Sequence, residues 1–306
     1  MNASIRPYSG PEDFLRVRDF LKSAYYAFGR PTNWGLDRWN WGRYHPLIFS
    51  SGRAAENIAF FEGHARILEA EDRIIALLNT EDPRVNGQYF IQRLPEADPW
   101  LDELIATAEG WPPDPASGLV SVDCYDHDAV LRDALRRRGF VPGDWTGYWS
   151  EQALEGPRPL AHPPGFRLRS MAESGADAAQ RCRVMGLGFD HPDPADWMRI
   201  EEYRMVQEAP DYLRANDLVI ESPDGQYASH CIVWYDDLNR FGVFEPVCTI
   251  PEFRLRGLGR AVIQAGLNRL YELGARKAYV GSGQDFYAAI GFARAHPRHL
   301  WHKLIT

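Results

Sequence analysis

Cysteine is scarce in this chain, with four residues (Cys124, Cys182, Cys231 and Cys248) among 306. They stand far apart, and no Cys-x-x-Cys or Cys/His metal spacing occurs. That pattern excludes a disulfide scaffold and a zinc framework, and it reads as buried thiols in a reducing compartment. No segment approaches the roughly twenty apolar residues of a membrane span. Residues 1–7 open no apolar signal region either. An excess of basic residues is also missing, because the net charge is −8, which argues against nucleic acid or an anionic membrane as partner. These absences together predict a cytoplasmic, soluble protein with no metal.

The 45% hydrophobic and 25% charged fractions are those of an ordinary globular protein. A chain of this length is long for one domain and comfortable for two. Residues 152–164 carry Gly156, Pro157, Pro159, Pro163 and Pro164 and read as a linker. Beyond it, residues 166–169 alternate like a strand, and 177–185 and 197–207 read as helices. Three strands follow at 217–221, 226–235 and 241–249, separated by turn sequences.

The third of these strands leads into Arg254-Leu255-Arg256-Gly257-Leu258-Gly259 and then an apolar-periodic helix from Arg260 that ends at Leu273 with Gly274 as cap. Glycines let a turn fold closely around an anion, and the first free N–H groups of the helix add to that cradle. The spacing is neither that of a Walker loop nor that of a dinucleotide fingerprint. A short strand at 278–280 precedes Phe286-Tyr287-Ala288-Ala289-Ile290-Gly291-Phe292.

These residues resemble the R/Q-x-x-G-x-G/A signature and the Tyr-x-x-x-Gly-Phe ending of the GNAT acetyltransferase superfamily. The resemblance covers nearly all of residues 165–306. It implies an α/β (α+β) fold with a mixed, mostly antiparallel sheet flanked by helices. It also implies acetyl-CoA as co-substrate and a primary amine of a small molecule as acceptor. Arg254, Leu255, Arg256, Gly257, Leu258, Gly259 and Arg260 would then hold the pyrophosphate. Val247, Cys248 and Thr249 would form the strand whose backbone meets the pantetheine arm, with the Cys248 thiol on the opposite face as a core group. Tyr287 would be the general acid for the leaving thiolate.

Glu245 shares a face with Val247 and Thr249, and Pro246 beside it suggests a bulge or an edge. Its carboxylate has three readings: a base for the amine, a group that binds the amine, or a glutamate pinned by an arginine. His230 is a competing base or a satisfied strand histidine. His191, in Asp190-His191-Pro192-Asp193, reads as a loop residue that borders the acceptor in the family rather than a metal ligand.

The first half, residues 1–151, shows a strand at 118–125, a helix at 128–138 and then Gly139-Phe140, which mirrors the second half. The expectation is an internal repeat of two GNAT-like modules in tandem, a layout that is similar to that of mycothiol synthases. The first module is altered. Leu135 stands where the tyrosine belongs, and Leu94-Pro95-Glu96-Ala97-Asp98-Pro99 replaces the Arg/Gly turn with carboxylates that repel phosphate. It is therefore expected not to bind acetyl-CoA. Trp34, Trp39 and Trp41 serve core or inter-domain packing, or wall a substrate pocket. Two rival functions stay open, a non-catalytic acyl-CoA sensor and a transferase that uses a longer acyl donor. A monomer and a homodimer are both compatible with two modules in one chain.

Overall fold

The computed structural model of the chain describes residues 2–45, 54–81 and 87–305. It divides into two compact units. The first comprises Met1–Arg43, Glu56–Trp149 and Arg294–Thr306, and the second Tyr44–Ala55 and Ser150–Ala293. No described helix is long and apolar enough to cross a membrane.

The first unit runs β1 (Ala3–Pro7), α1 (Gly10–Phe28), α2 (Leu36–Tyr44), α3 (Ala54–Gly63), β2 (Ala65–Ala70), β3 (Arg73–Asn79), β4 (Gln88–Arg93), α4 (Leu101–Glu109), β5 (Leu119–Tyr125), α5 (Ala129–Arg137) and β6 (Val141–Ala153). Local chemistry sets several of these ends. Gly29 closes α1 in the left-handed conformation, with its N–H donating to the Tyr25 carbonyl. Asp128 caps α5 by accepting from Leu131 N. The tryptophans of this half are core residues. Trp39 stacks on Phe14 at 5.3 Å, and its Nε1–H donates to the Phe14 carbonyl. Trp34 is 1% exposed and meets Phe90 edge-on at 4.6 Å. The pocket-wall reading of Trp34 therefore gives way to packing, because a large apolar ring gains most by full burial.

The second unit runs β7 (Arg167–Ser170), α6 (Ala178–Gly188), α7 (Ile200–Gln207), β8 (Asp217–Glu221), β9 (Tyr227–Asp236), β10 (Phe241–Thr249), α8 (Leu258–Glu272), β11 (Lys277–Val280) and α9 (Asp285–Ala288). One strand remains, β12 (Ala293–Leu304). Its residues from Arg294 onward belong to the first unit, where it pairs antiparallel with β5 from Arg298↔Tyr125 to Leu304↔Leu119.

The strand order in the first unit is β1-β2-β3-β4-β5-β12-β6, and in the second it is β6-β11-β10-β9-β8-β7. Each unit has one parallel pair at its centre, β4–β5 and β10–β11. The division differs from the sequence expectation in two places. The last strand completes the first unit rather than the second module at 165–306. Residues 152 and 153, expected in the linker, extend β6 as it pairs with Ala278 and Lys277 of β11. In both places backbone groups that find a ladder partner override a boundary drawn from composition.

Candidate active site

In the second unit β10 and β11 pair through four positions, from Phe241↔Lys277 to Phe244↔Val280. Beyond Phe244 the register of β10 with β9 shifts, with a bulge between Phe244 and Val247. The rest of β10 then runs on beyond its last pairing with β11. Ligands favour such places, outside the carboxyl ends of diverging parallel strands.

A cavity of about 660 Å³ opens there. Its walls include Val247, Cys248 and Thr249 from β10, and Arg254, Leu255, Gly257, Leu258, Gly259 and Arg260 from the turn and the start of α8. Tyr287 of α9 closes another side. The structure thus brings together most of the residues singled out in the sequence. Arg256 stands outside the lining and lays its guanidinium over the Phe253 ring at 5.2 Å. Gly188, Asp190, Phe253, Gln284 and Phe286 also line the cavity; Asp190 and Phe286 lie in stretches singled out in the sequence but have no role assigned there, and Gly188 and Gln284 lie in none. Gly188 had one local signal, a small residue at a helix end. A Cβ there would lie 2.5 Å from Cys248 Sγ.

The turn is shaped for an anion. Leu255 (φ 61) and Gly257 (φ 81) both adopt positive φ, on either side of Arg256. Alternation of this kind produces the concave backbone nest that binds anions. Gly257 is the N-cap of α8 and offers no side-chain acceptor, so the first helical N–H groups are left for a ligand. Gly259 sits in a tight place, where a Cβ would stand 3.0 Å from Phe286 Cζ and 3.3 Å from Thr249 Oγ1 and would need those side chains to give by a few tenths of an ångström. Arg254 braces the turn through Nε to the Thr249 carbonyl and Nη2 to the Gly188 carbonyl, both at 3.1 Å.

Tyr287 is 9% exposed and sits edge-on to Phe286 and Phe292, at 5.0 and 6.0 Å. Arg260 Nη2 donates to the Ala289 carbonyl and so ties α8 to the helix that carries the tyrosine. Burial, and after it the charge of Glu245, raises the phenol's pKa. The hydroxyl therefore holds its proton throughout the neutral range. Glu245 is half-buried and does not line the cavity. Its carbonyl accepts from Trp234 Nε1 at 2.7 Å.

His230 is fully buried and does not itself line the cavity. Its Nε2–H donates to Asp217 Oδ1 at 3.1 Å. The same carboxylate accepts from Arg181 Nε at 2.9 Å and from the hydroxyls of Tyr203 and Tyr212 at 3.0 and 2.8 Å. Arg181 and His230 hold the Asp217 pKa down against its burial. Burial first, then Arg181, brings His230 down to about 4. Its Nδ1 faces Cys248 Sγ at 4.0 Å. That thiol donates to the Val184 carbonyl, and burial pushes its pKa up to about 12. A thiol so protonated is a poor nucleophile, although Cys248, His230 and Asp217 stand in line. His191 is half-buried, and its carbonyl accepts from Trp197 Nε1 at 2.9 Å. Among the described residues no group of three His, Cys, Asp or Glu is placed to hold a metal.

The first unit narrows the equivalent place to a cavity of about 230 Å³. Its parallel pair is only two positions long, Gln88↔Ser121 and Tyr89↔Val122. Asn33 Nδ2 then bridges the two strands by donating to the carbonyls of Ile91 and Asp123, at 3.1 and 2.6 Å. The turn after β4 is a 3₁₀ helix, Pro95–Trp100. Asp98 of that turn accepts from Arg93 Nε at 2.5 Å, and Asp128 takes both terminal nitrogens of the same guanidinium.

No protein-family model matches the sequence, and no curated protein matches it. Solved structures do. A tandem GNAT protein from the clavulanic acid biosynthesis pathway is 13% identical, with all of this chain and 99% of that one aligned at a TM-score of 0.65. A GCN5-related N-acetyltransferase from Sphaerobacter thermophilus is 18% identical over 99% of this chain and 96% of its own, with a TM-score of 0.57. A GCN5-related glucosamine N-acetyltransferase region of a fungal multi-domain β-N-acetylglucosaminidase gives 15% identity and a TM-score of 0.56. There the match spans 99% of this chain but only 38% of the longer protein. Over its whole length, then, this chain has the fold of the GNAT acetyltransferases, built as two tandem units.

Proposed function

We propose that the protein is an N-acetyltransferase whose second unit takes acetyl-CoA and delivers the acetyl group to a primary amine of a small molecule. The observation that carries this reading is the cavity that joins the Arg254–Arg260 turn to Tyr287. The residues present fit the co-substrate. Positive φ at Leu255 and Gly257 and the uncapped amides of α8 suit a pyrophosphate. The tight approach at Gly259 favours a small residue beside the bound group. Val247 and Thr249 lie on the stretch of β10 beyond its pairing with β11 and line the cavity where a pantetheine arm would run.

Acetyl-CoA supplies an acyl thioester that an unprotonated amine can attack. The chain's own residues orient it, and Tyr287 holds a proton at its hydroxyl for the departing thiolate. Glu245, close enough for its charge to act on that phenol, is the acceptor assigned to the proton of the incoming ammonium, reached through water because it lies behind the cavity lining. Direct attack is preferred to a covalent acyl-enzyme, because the Cys248 thiol is buried and protonated. The first unit, with Asn33 across its strands and Arg93 spent on two aspartates, does not take acetyl-CoA in this manner.

The second reading is a non-catalytic acyl-CoA sensor, favoured by the absence of Glu245 from the cavity lining. Calorimetric titration of acetyl-CoA, followed by CoA release with a panel of amines, separates the two. One site per chain with amine-dependent release supports the transferase. One site without release on any amine supports the sensor, and two sites contradict the role given to the first unit. Absence of binding overturns both.

A further inference from the structure

Phe286 and Tyr287 are neighbours on α9, and consecutive helical side chains point about 100° apart. Tyr287 turns inward, 9% exposed, against the core ring of Phe292. Phe286 is 41% exposed and lines the cavity of the second unit. A single apolar side chain on an open surface needs no explanation. An apolar ring inside a cavity is placed where a ligand can cover it.

The ring spans two parts of the site. At one end it meets Tyr287 edge-on, with centroids 5.0 Å apart. At the other its Cζ points at the start of α8, where a Cβ on Gly259 would lie 3.0 Å away. Thr249 Oγ1 would stand 3.3 Å from that same Cβ. The end of β10, the start of α8 and α9 thus converge at one point. Gly259 follows closely on Gly257, the N-cap of α8 and the last residue of the anion nest. The Phe286 ring therefore lies between the nest and Tyr287. A ligand with an anion in the nest and its reacting group at Tyr287 has to run along it.

Pantetheine carries its groups in a matching order. Its branched, dimethylated carbon stands next to the pyrophosphate, and the amides and the sulfur follow further along the arm. The most apolar part of the arm is thus the part that leaves the nest first, and Phe286 is the aromatic surface on the way from the nest to Tyr287. We infer that Phe286 grips the pantetheine arm, its ring packed on the branched carbon beside the pyrophosphate. The inference rests on the acetyl-CoA reading of the second unit and adds the residue that selects for the arm. The rival role is a prop, in which the ring only supports Gly259 and the turn.

ADP separates the two roles, because it carries a pyrophosphate and a nucleoside but no arm. Acetyl-CoA and ADP are titrated by calorimetry into the full chain and its variants. Phe286→Ala should weaken acetyl-CoA about tenfold and leave ADP within about twofold. Phe286→Leu keeps apolar bulk and should weaken acetyl-CoA about threefold, which keeps the test decisive should the alanine variant fail to fold. The inference is overturned if neither variant changes acetyl-CoA affinity, or if ADP weakens by the same factor, which would make the ring a prop. ADP that fails to bind the unaltered chain overturns it as well, because the nest would then not anchor a pyrophosphate. Absence of acetyl-CoA binding to the unaltered chain overturns the reading beneath it and the inference together.

Discussion

Arg254 Nη2 donates to Asp190 Oδ1 across 2.8 Å, from the turn that opens α8 to the segment that leaves α6. The same guanidinium also holds the carbonyls of Thr249 and Gly188, so the aspartate contributes charge more than position. Both side chains are exposed, and an exposed pair adds little stability.

Asp190→Asn keeps an acceptor and removes the charge. Acetyl-CoA should bind about twofold to fivefold more tightly at low ionic strength, with the gain shrinking as salt screens the site. Fold stability should stay within about 0.5 kcal/mol. Titrations at two ionic strengths check it, and an equal affinity for both proteins would remove electrostatics from the role of this pair.

Tyr287→Phe removes a protonated hydroxyl and leaves the ring against Phe286 and Phe292. Turnover should fall about a hundredfold, while acetyl-CoA affinity changes less than about twofold. Steady-state rates across several pH values, set beside calorimetric affinities, read the two effects apart. Undiminished turnover at every pH would assign the proton to another group.

Most of the second unit is legible in the sequence, because its signals are local. The helix expected to end at Leu273 with Gly274 as cap is α8, with Gly274 at φ 88. Pro246 marks the bulge that follows Phe244. What stayed hidden depends on distant partners. Nothing in residues 294–304 says that they will pair with 119–125, since alternation fixes a strand but not its neighbour. Asn33, in a stretch notable for its tryptophans, bridges Ile91 and Asp123, which lie far along the chain. Asp217 reads as an ordinary strand residue, and only the fold brings Arg181, Tyr203, Tyr212 and His230 around it.

That cluster makes the second unit sensitive to acid. His230 has a folded pKa of about 4, below its ordinary value near ~6.5. Between those values the unfolded chain binds more protons than the folded one. Stability is thus full above the ordinary value and is lost as pH falls toward the folded one. Lowering the pH from 7 to 5 should cost about 2 kcal/mol through this residue alone. His230→Gln should flatten that slope, whatever its own cost at pH 7. Urea denaturation of both proteins at the two pH values, followed by exchange of amides in β9, checks it. A slope unchanged in the variant would place the acid sensitivity elsewhere.

Trp301 tests where the last strand belongs. It lies on β12 opposite Val122 of β5, is 3% exposed, and receives the Arg136 guanidinium at 5.3 Å. Trp301→Ala removes a large buried ring, and such a change costs about 3–5 kcal/mol. The loss should fall on the first unit, since Arg294–Thr306 belongs to it. Hydrogen exchange followed by mass spectrometry should show faster exchange in peptides from β2 to β5, with β8 to β11 unchanged. Acetyl-CoA should still protect the Arg254–Arg260 turn in the variant. If exchange rises instead in β8 to β11, the strand serves the second unit, and the boundary at 165–306 read from the sequence is restored.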